Sequence, residues 1–355
     1  MRSVVIPPAA GTPTPRRAAP SALVGARLPR TASYLAGAAA VLLAIGAKFG
    51  LGWTGWFTAF FTAALLYVVV LSAWSFTVEG RRRAKDRFAS TVIHGCFIAA
   101  LIPLGLILVY MLQRGVPALS NALSSDSGYG ARLLNATVGS IEQVGIAALI
   151  ALPMGVFTAI YLVEYGRGRF AQAVTFFVDV MTGVPSIVAG LFVYTFLLLG
   201  FGARPFGLAG ALALTVLMLP VVVRSSEEML RLVPRDLRDA SYALGVPKWR
   251  TILKIVLPTA LSGLITSALL AIARVAGETA PLILLVGYTS FFNGNPFASD
   301  QATLPMMVWD LLGKRAGTSQ NIQGAFGAAL VLILLVLLLN VVARLLAKLA
   351  QPKSK

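Results

Sequence analysis

Long apolar runs broken by short polar stretches dominate the chain. Runs of about 20 residues are long enough to cross a bilayer as helices. They fall at approximately 32–51, 53–76, 90–112, 138–163, 172–200, 207–226, 259–288 and 324–347. The pattern predicts an all-α polytopic membrane protein, because a helix satisfies its own backbone polar groups in lipid. Only Gly52 separates the first two runs, which predicts a tight N-terminal hairpin with Lys48 close enough to the turn to snorkel to the surface. The basic run Arg81 to Arg87, RRRAKDR, then divides this hairpin from six later spans. Four regions follow: a basic tail over 1–31, the hairpin with its basic loop over 32–89, a core of six helices over 90–349, and a polar tail over 350–355. The first tail is rich in Ala, Pro and Arg, carries no acid and no long apolar run. It reads as disordered and not as a secretory signal.

One stretch departs from this greasy pattern. Asp239 to Pro258, DASYALGVPKWRTILKIVLP, is polar and basic and lies between two apolar runs. Pro234 suits the first turn of a short helix over Arg235 to Leu244, and Gly245 supplies the left-handed residue that closes it. Pro247 opens a second helix. There Trp249, Ile252, Leu253 and Val256 share one face, and Lys248, Arg250 and Lys254 the other. Pro258 is expected to separate this helix from the next span. Two helices of about 15 Å or less would lie at the membrane surface, with small Ala240 and Ser241 allowing another protein to approach closely.

Composition agrees with the membrane reading. Hydrophobic residues make up 57% of the 355, charged residues 12%, and the net charge is +17. Soluble domains carry about twice that charged fraction. In a soluble protein such a charge would raise nucleic acid as a partner. Here most of the 30 basic residues fall between spans, on one side of an eight-span arrangement. Only Arg114, Arg132, Arg204, Lys314 and Arg315 fall on the other. The positive-inside rule then places both termini, and Asp239–Pro258, in the cytoplasm. Cys96 and His94 are the sole cysteine and histidine, so no intrachain disulfide or histidine ligand set forms. The chain has no GxxxxGK[ST] and no HExxH. ATP, if it drives this protein, binds another chain.

The spacing Asp239-Ala240-Ser241, three residues, Gly245, nine residues, Ile255-Val256-Leu257-Pro258 resembles the EAA loop of bacterial ABC importer permeases, with Asp for Glu and Ser for Ala. The resemblance implies a type I (MetI-like) permease fold, and a coupling helix at Asp239, Ala240, Ser241, Gly245, Ile255, Leu257 and Pro258 that docks on a cytoplasmic ATPase. Without the spacing match, the same stretch reads as an ordinary amphipathic loop.

Intramembrane charges mark pathways more often than packing. Arg274 and Glu278 lie four residues apart within the run 259–288, so on one helix face they would pair. Two readings stand side by side: a structural ion pair, or a relay for an anion. In the relay a guanidinium grips phosphate-like oxygens, and the carboxylate keeps binding weak enough for release. Glu142 faces either a neighbouring helix or the pathway. Asp179 precedes a break at Gly183-Val184-Pro185-Ser186, where Pro185 and Ser186 either line a cavity or only shape the helix. Pro103, Pro153 and Pro220 show how common intramembrane prolines are in this chain. The short apolar segment Leu304–Leu312 either lies at the outer interface, as a landing surface for a soluble protein, or caps the bundle.

Three segments carry a narrower resemblance. Arg274, Gly277, Glu278, Thr279, Ala280, Pro281 and Leu282 match the R-x-x-G-E-T-A-P-L segment of PstA-type phosphate-importer permeases. TGVPSIVAGLFVY (Thr182–Tyr194) and RSSEEMLRLVP (Arg224–Pro234) match as well. The likeness covers about 133–345 and leaves the N-terminal tail and hairpin unaccounted for. It implies a phosphate permease subunit of the bacterial inner membrane, itself no enzyme and binding no cofactor, with ATP and Mg on a partner. The implied partners are a PstC-like permease, a PstB-like ATPase dimer and an extracytoplasmic PstS-like phosphate-binding protein, besides membrane lipid. Arg274, Glu278, Thr279, Pro185 and Ser186 are the implied path residues. Two alternatives stay open: the same architecture carrying another oxyanion or small solute, and an ATP-independent transporter.

Overall fold

The computed structural model describes residues 28–29, 31–50, 52, 55–124, 128–314 and 317–350; the expectations for the two terminal tails lie almost wholly outside them. Among the described residues seven helices are long and apolar enough to cross a membrane, or eight if a bent pair counts as one span. The chain divides into two compact units, Met1–Leu106 and Ile107–Lys355.

In the first unit, α1 (Ala32–Gly50) packs on α2 (Trp56–Glu79). The contact follows from spacing. Ala32, Ala36, Ala40 and Ala44 recur every four residues and are almost fully buried, and small side chains let helix backbones approach closely. No irregular basic loop follows the hairpin. Gly80, at φ 85, makes a corner, and α3 (Arg81–Ser124) starts at once, carrying the basic run in its first two turns.

The second unit is built on α4 (Tyr129–Ile160, prolonged by a π-helical turn to Tyr165) and α7 (Gly207–Arg231). Buried Ala136, Gly139, Gln143, Ala147, Ala151, Gly155 and Ala159 step along one face of α4. Where Gly155 crosses α7, an added Cβ would lie 2.6 Å from Val222. The main core joins Ala147 and Ala151 to Leu214, Met218 and Val222 of α7, and to Ala271, Val275, Leu282 and Leu285 beyond it. Pro103, Pro153 and Pro220 all sit inside unbroken helices.

Two of the expected spans are interrupted. The run 172–200 is not one straight helix: α5 (Gly168–Thr182) and α6 (Ser186–Val193, prolonged by a π-helical turn to Leu199) meet at 110°. Pro185 cannot donate a backbone hydrogen bond and adopts ψ 140, and Gly183 and Val184 fold back onto Val180 and Met181. The run 259–288 is also broken. α10 (Leu257–Ala276) stops at Gly277, and α11 (Ala280–Leu285) is a separate short helix capped at Thr279.

From Gly287 to Thr303 the chain forms a strap held to α4 by side-chain amides. Asn135 donates to the Phe291 carbonyl at 2.8 Å and accepts from the Asn293 N–H at 3.0 Å. Gln143 donates to Gln301 at 3.0 Å, and Gln301 donates to Glu142 at 2.5 Å. Glu142 therefore faces the strap. Next, α12 (Leu304–Trp309) buries Leu304, Pro305, Met306 and Met307. The first half of the segment caps the bundle, while Trp309 and Leu312 stay exposed. α13 (Ser319–Ala350) completes the unit.

Candidate coupling elbow and translocation face

The elbow begins at the end of α7. Glu227, buried in the bundle, holds Arg224 at 2.7 Å and Arg231 at 2.5 Å. Arg224 also pairs with Asp179 on α5. Glu227 and Asp179 are thus locked to arginines, and α5 is tied to α7. Leu232 ends α7, and Pro234, at ψ 138, starts α8 (Arg235–Ala243) one residue earlier than a first-turn proline would. Gly245 closes α8 at φ 74, its N–H bonded to the Tyr242 carbonyl at 2.9 Å. Pro247 then opens α9 (Lys248–Thr251).

Pro258 does not separate this helix from the next span. A π-helical turn over Ile252–Val256 carries α9 into α10 as one 29-residue rod, Lys248–Ala276. The wider turn falls where Pro258, lacking an N–H, leaves a carbonyl unpaired, and such turns absorb that mismatch. It also splits the expected apolar face. Ile252 and Val256 are buried, whereas Trp249 and Leu253 stay more than half exposed.

The elbow is clamped at its base. Val256 and Ala260 pack with Ala159, Leu230 and Val233. Arg238 reaches Glu164 at the end of α4 at 3.0 Å, and also donates to the carbonyls of Val233 at 2.6 Å and Leu230 at 2.9 Å. Lys248 donates to the Glu164 carbonyl and lies over the Tyr165 ring at 4.8 Å. Desolvation, then the Glu164 carboxylate, raise the Tyr242 phenol above its ordinary pKa, which keeps it neutral. A recess of about 490 Å³ opens beside this clamp, where Arg231, Arg235, Arg238 and Lys248 outnumber Glu164 and Asp239.

Of the residues singled out in the elbow, Asp239, Ala240 and Gly245 are exposed, and Ile255, Leu257 and Pro258 are half-buried. Ser241 is turned inward. It is 3% exposed and shares a 2.8 Å hydrogen bond with Thr251, so it fastens the two helices together and offers no surface for docking. The clamp residues Glu164 and Arg238 were not legible as a pair, since 74 residues separate them.

The second group lies elsewhere in the unit. Arg274 and Pro185 are exposed, and Ser186, Glu278 and Thr279 half-buried. Among the described residues, no ion pair joins Arg274 to Glu278. The helix ends between them, so the one-turn spacing that would pair them does not exist. The structure does unite the two matched stretches around them: α6 packs on α11, and a Cβ at Gly190 would lie 2.7 Å from Pro281. Among the described residues no group of three or more His, Cys, Asp or Glu could hold a metal.

An all-helical bundle with several apolar spans and an exposed two-helix elbow between two of them is a multi-pass membrane protein. Residues 151–355 match the family described as binding-protein-dependent transport system inner membrane component. The fold resembles a chain in the crystal structure of a bacterial alginate ABC transporter with its pentasaccharide-bound periplasmic protein. The TM-score is 0.52 at 16% identity, covering 76% of this chain and 99% of that one. The phosphate transport system permease protein PstA 1 of Mycobacterium tuberculosis (strain CDC 1551 / Oshkosh) is 45% identical over 75% of this chain and 90% of its own length. PstA of Yersinia pestis is 39% identical over 75% of this chain and 90% of its own. The chain belongs to the PstA family of phosphate transport system permeases, whose members are transport subunits and not enzymes.

Proposed function

We propose that the chain is the permease subunit of an ATP-driven phosphate importer. It forms the path with a second, PstC-like permease, and PstB-like ATPases in the cytoplasm grip the elbow over 235–258. The observation that carries this reading is continuity. The rod from Lys248 to Ala276 is unbroken, about 43 Å long at 1.5 Å per residue. One of its ends is the exposed elbow and the other carries Arg274. ATP binding and hydrolysis, with Mg, take place on the partner, and a stroke at the elbow moves the far end of the rod.

The path residues are exposed or half-buried in the lone subunit, and none belongs to its buried core. Arg274, Glu278, Thr279, Pro185 and Ser186 therefore face a seam that the second permease closes. There the Arg274 guanidinium offers phosphate a bidentate fork, and Glu278 weakens the grip so that the ion leaves. A PstS-like binding protein delivers phosphate from outside, and both termini lie in the cytoplasm of the inner membrane, as the basic loops favour.

Copurification tests this. A transporter drawn from mild detergent should bring an ATPase and a second permease with it. In a Cys96→Ser background, Ala240→Cys should cross-link to the ATPase, and labelled phosphate uptake should resist competition by other oxyanions. An elbow that cross-links to no ATPase would overturn the coupling role; uptake displaced by another solute would overturn the substrate.

A further inference from the structure

The N-terminal unit holds a groove of about 650 Å³ between α2 and the first half of α3. Past the Gly80 corner, α2 packs chiefly on α1. Phe60, Ala64, Tyr67 and Leu71 line one wall, and Ile98 and Ile102 part of the other. The walls are apolar and open to the membrane; in the apolar window of α3 no residue is buried.

One end is different. Ser33, Arg87, Ser90 and His94 line it. Arg87 is anchored there by Glu79 at 3.0 Å, and Glu79 in turn accepts from Ser75 and from the Leu28 N–H. Beyond Arg87, the first two turns of α3 add Arg81, Arg82, Arg83 and Lys85 against the single acid Asp86. Arg81, Arg82 and Lys85 are exposed. Arg87 and Ile102 lie about 22 Å apart along the helix, more than half of a roughly 30 Å hydrocarbon core. The groove is thus greasy for about the depth of one leaflet and strongly cationic at the mouth.

We propose that this groove binds an anionic phospholipid, with an acyl chain against Phe60, Ala64 and Ile98 and its phosphate among the cations of Arg81–Arg87. Charge favours this occupant over a partner's membrane helix, because an apolar helix would leave the cationic mouth unanswered. Juxtamembrane basic clusters attract anionic headgroups by about 1 kcal/mol per residue. The site gives the N-terminal hairpin, which the matched motifs leave unaccounted for, a lipid-recognition role.

Native mass spectrometry of the whole transporter tests it, with equimolar phosphatidylglycerol and phosphatidylcholine added. Wild type should retain phosphatidylglycerol at least about tenfold over phosphatidylcholine. Combined Arg81→Gln, Arg82→Gln and Lys85→Gln should bring that ratio close to one. Ala64→Trp, at an exposed position that fills the groove, should lose phosphatidylglycerol. Leu65→Trp, on the neighbouring exposed position outside the groove lining, should retain it. Equal retention of both lipids by wild type overturns the proposal. So does full phosphatidylglycerol retention by Ala64→Trp, or its loss from Leu65→Trp as well.

Discussion

Removing the Arg238 side chain should uncouple the elbow from the bundle. Its guanidinium holds the Glu164 carboxylate at 3.0 Å and two carbonyls, of Val233 and Leu230, at 2.6 and 2.9 Å. The pair is well shielded, with side chains 13% and 5% exposed. Breaking a buried pair by deleting one partner costs about 3–5 kcal/mol, mostly because the remaining charge is stranded. Arg238→Ala should therefore weaken the attachment of α8 by about 3 kcal/mol, and every 1.4 kcal/mol is a factor of ten. Hydrogen exchange on the assembled transporter should show α8 amides opening about 100-fold more often. ATP hydrolysis should persist while phosphate uptake per ATP falls. Adding Glu164→Gln removes the stranded charge and should restore part of the protection. Unchanged exchange in Arg238→Ala, or a double variant no better than the single, would refute the clamp.

Gly245→Ala should cost about 1–2 kcal/mol, because φ 74 is a left-handed backbone that a Cβ opposes. Gly245→Pro also loses the N–H bonded to Tyr242, and it should abolish uptake while membrane insertion, read by fractionation, survives. Arg274→Gln should impair phosphate flux with the complex still intact on size exclusion; wild-type flux would contradict a role in the path. Gly155→Ala would press a Cβ within 2.6 Å of Val222 and should cost about 1–3 kcal/mol, seen as a lower melting temperature of the purified transporter.

The elbow was the most legible part of the site. Pro234, Gly245 and Pro247 act through backbone chemistry of their own residues, so their positions in the sequence set where α8 ends and α9 begins. Pro258 misled for a related reason. Its local effect is to remove a donor, and only the π-helical turn upstream lets the rod continue. Arg274 and Glu278 misled through spacing, since four residues mean one face only while the helix lasts, and α10 stops at Gly277.

The sequence by itself determined that the chain is helical, where most helices cross the membrane, and which polar stretch stands apart from them. Those properties depend on the length of apolar runs and on proline and glycine, both of which are local. Outside the alanine stripe of α1, tertiary structure decided which faces meet. Lipid tails are as apolar as leucine, so an exposed Leu253 and a buried Leu264 read alike in sequence. It also decided that the break at Pro185 becomes a 110° bend, with α6 laid against α11. And it decided that Asn135, Gln143 and Gln301 pin a strap to α4 from more than 150 residues away in the chain. An amide buried in an apolar bundle must find a partner, and only the folded chain brings that partner within reach.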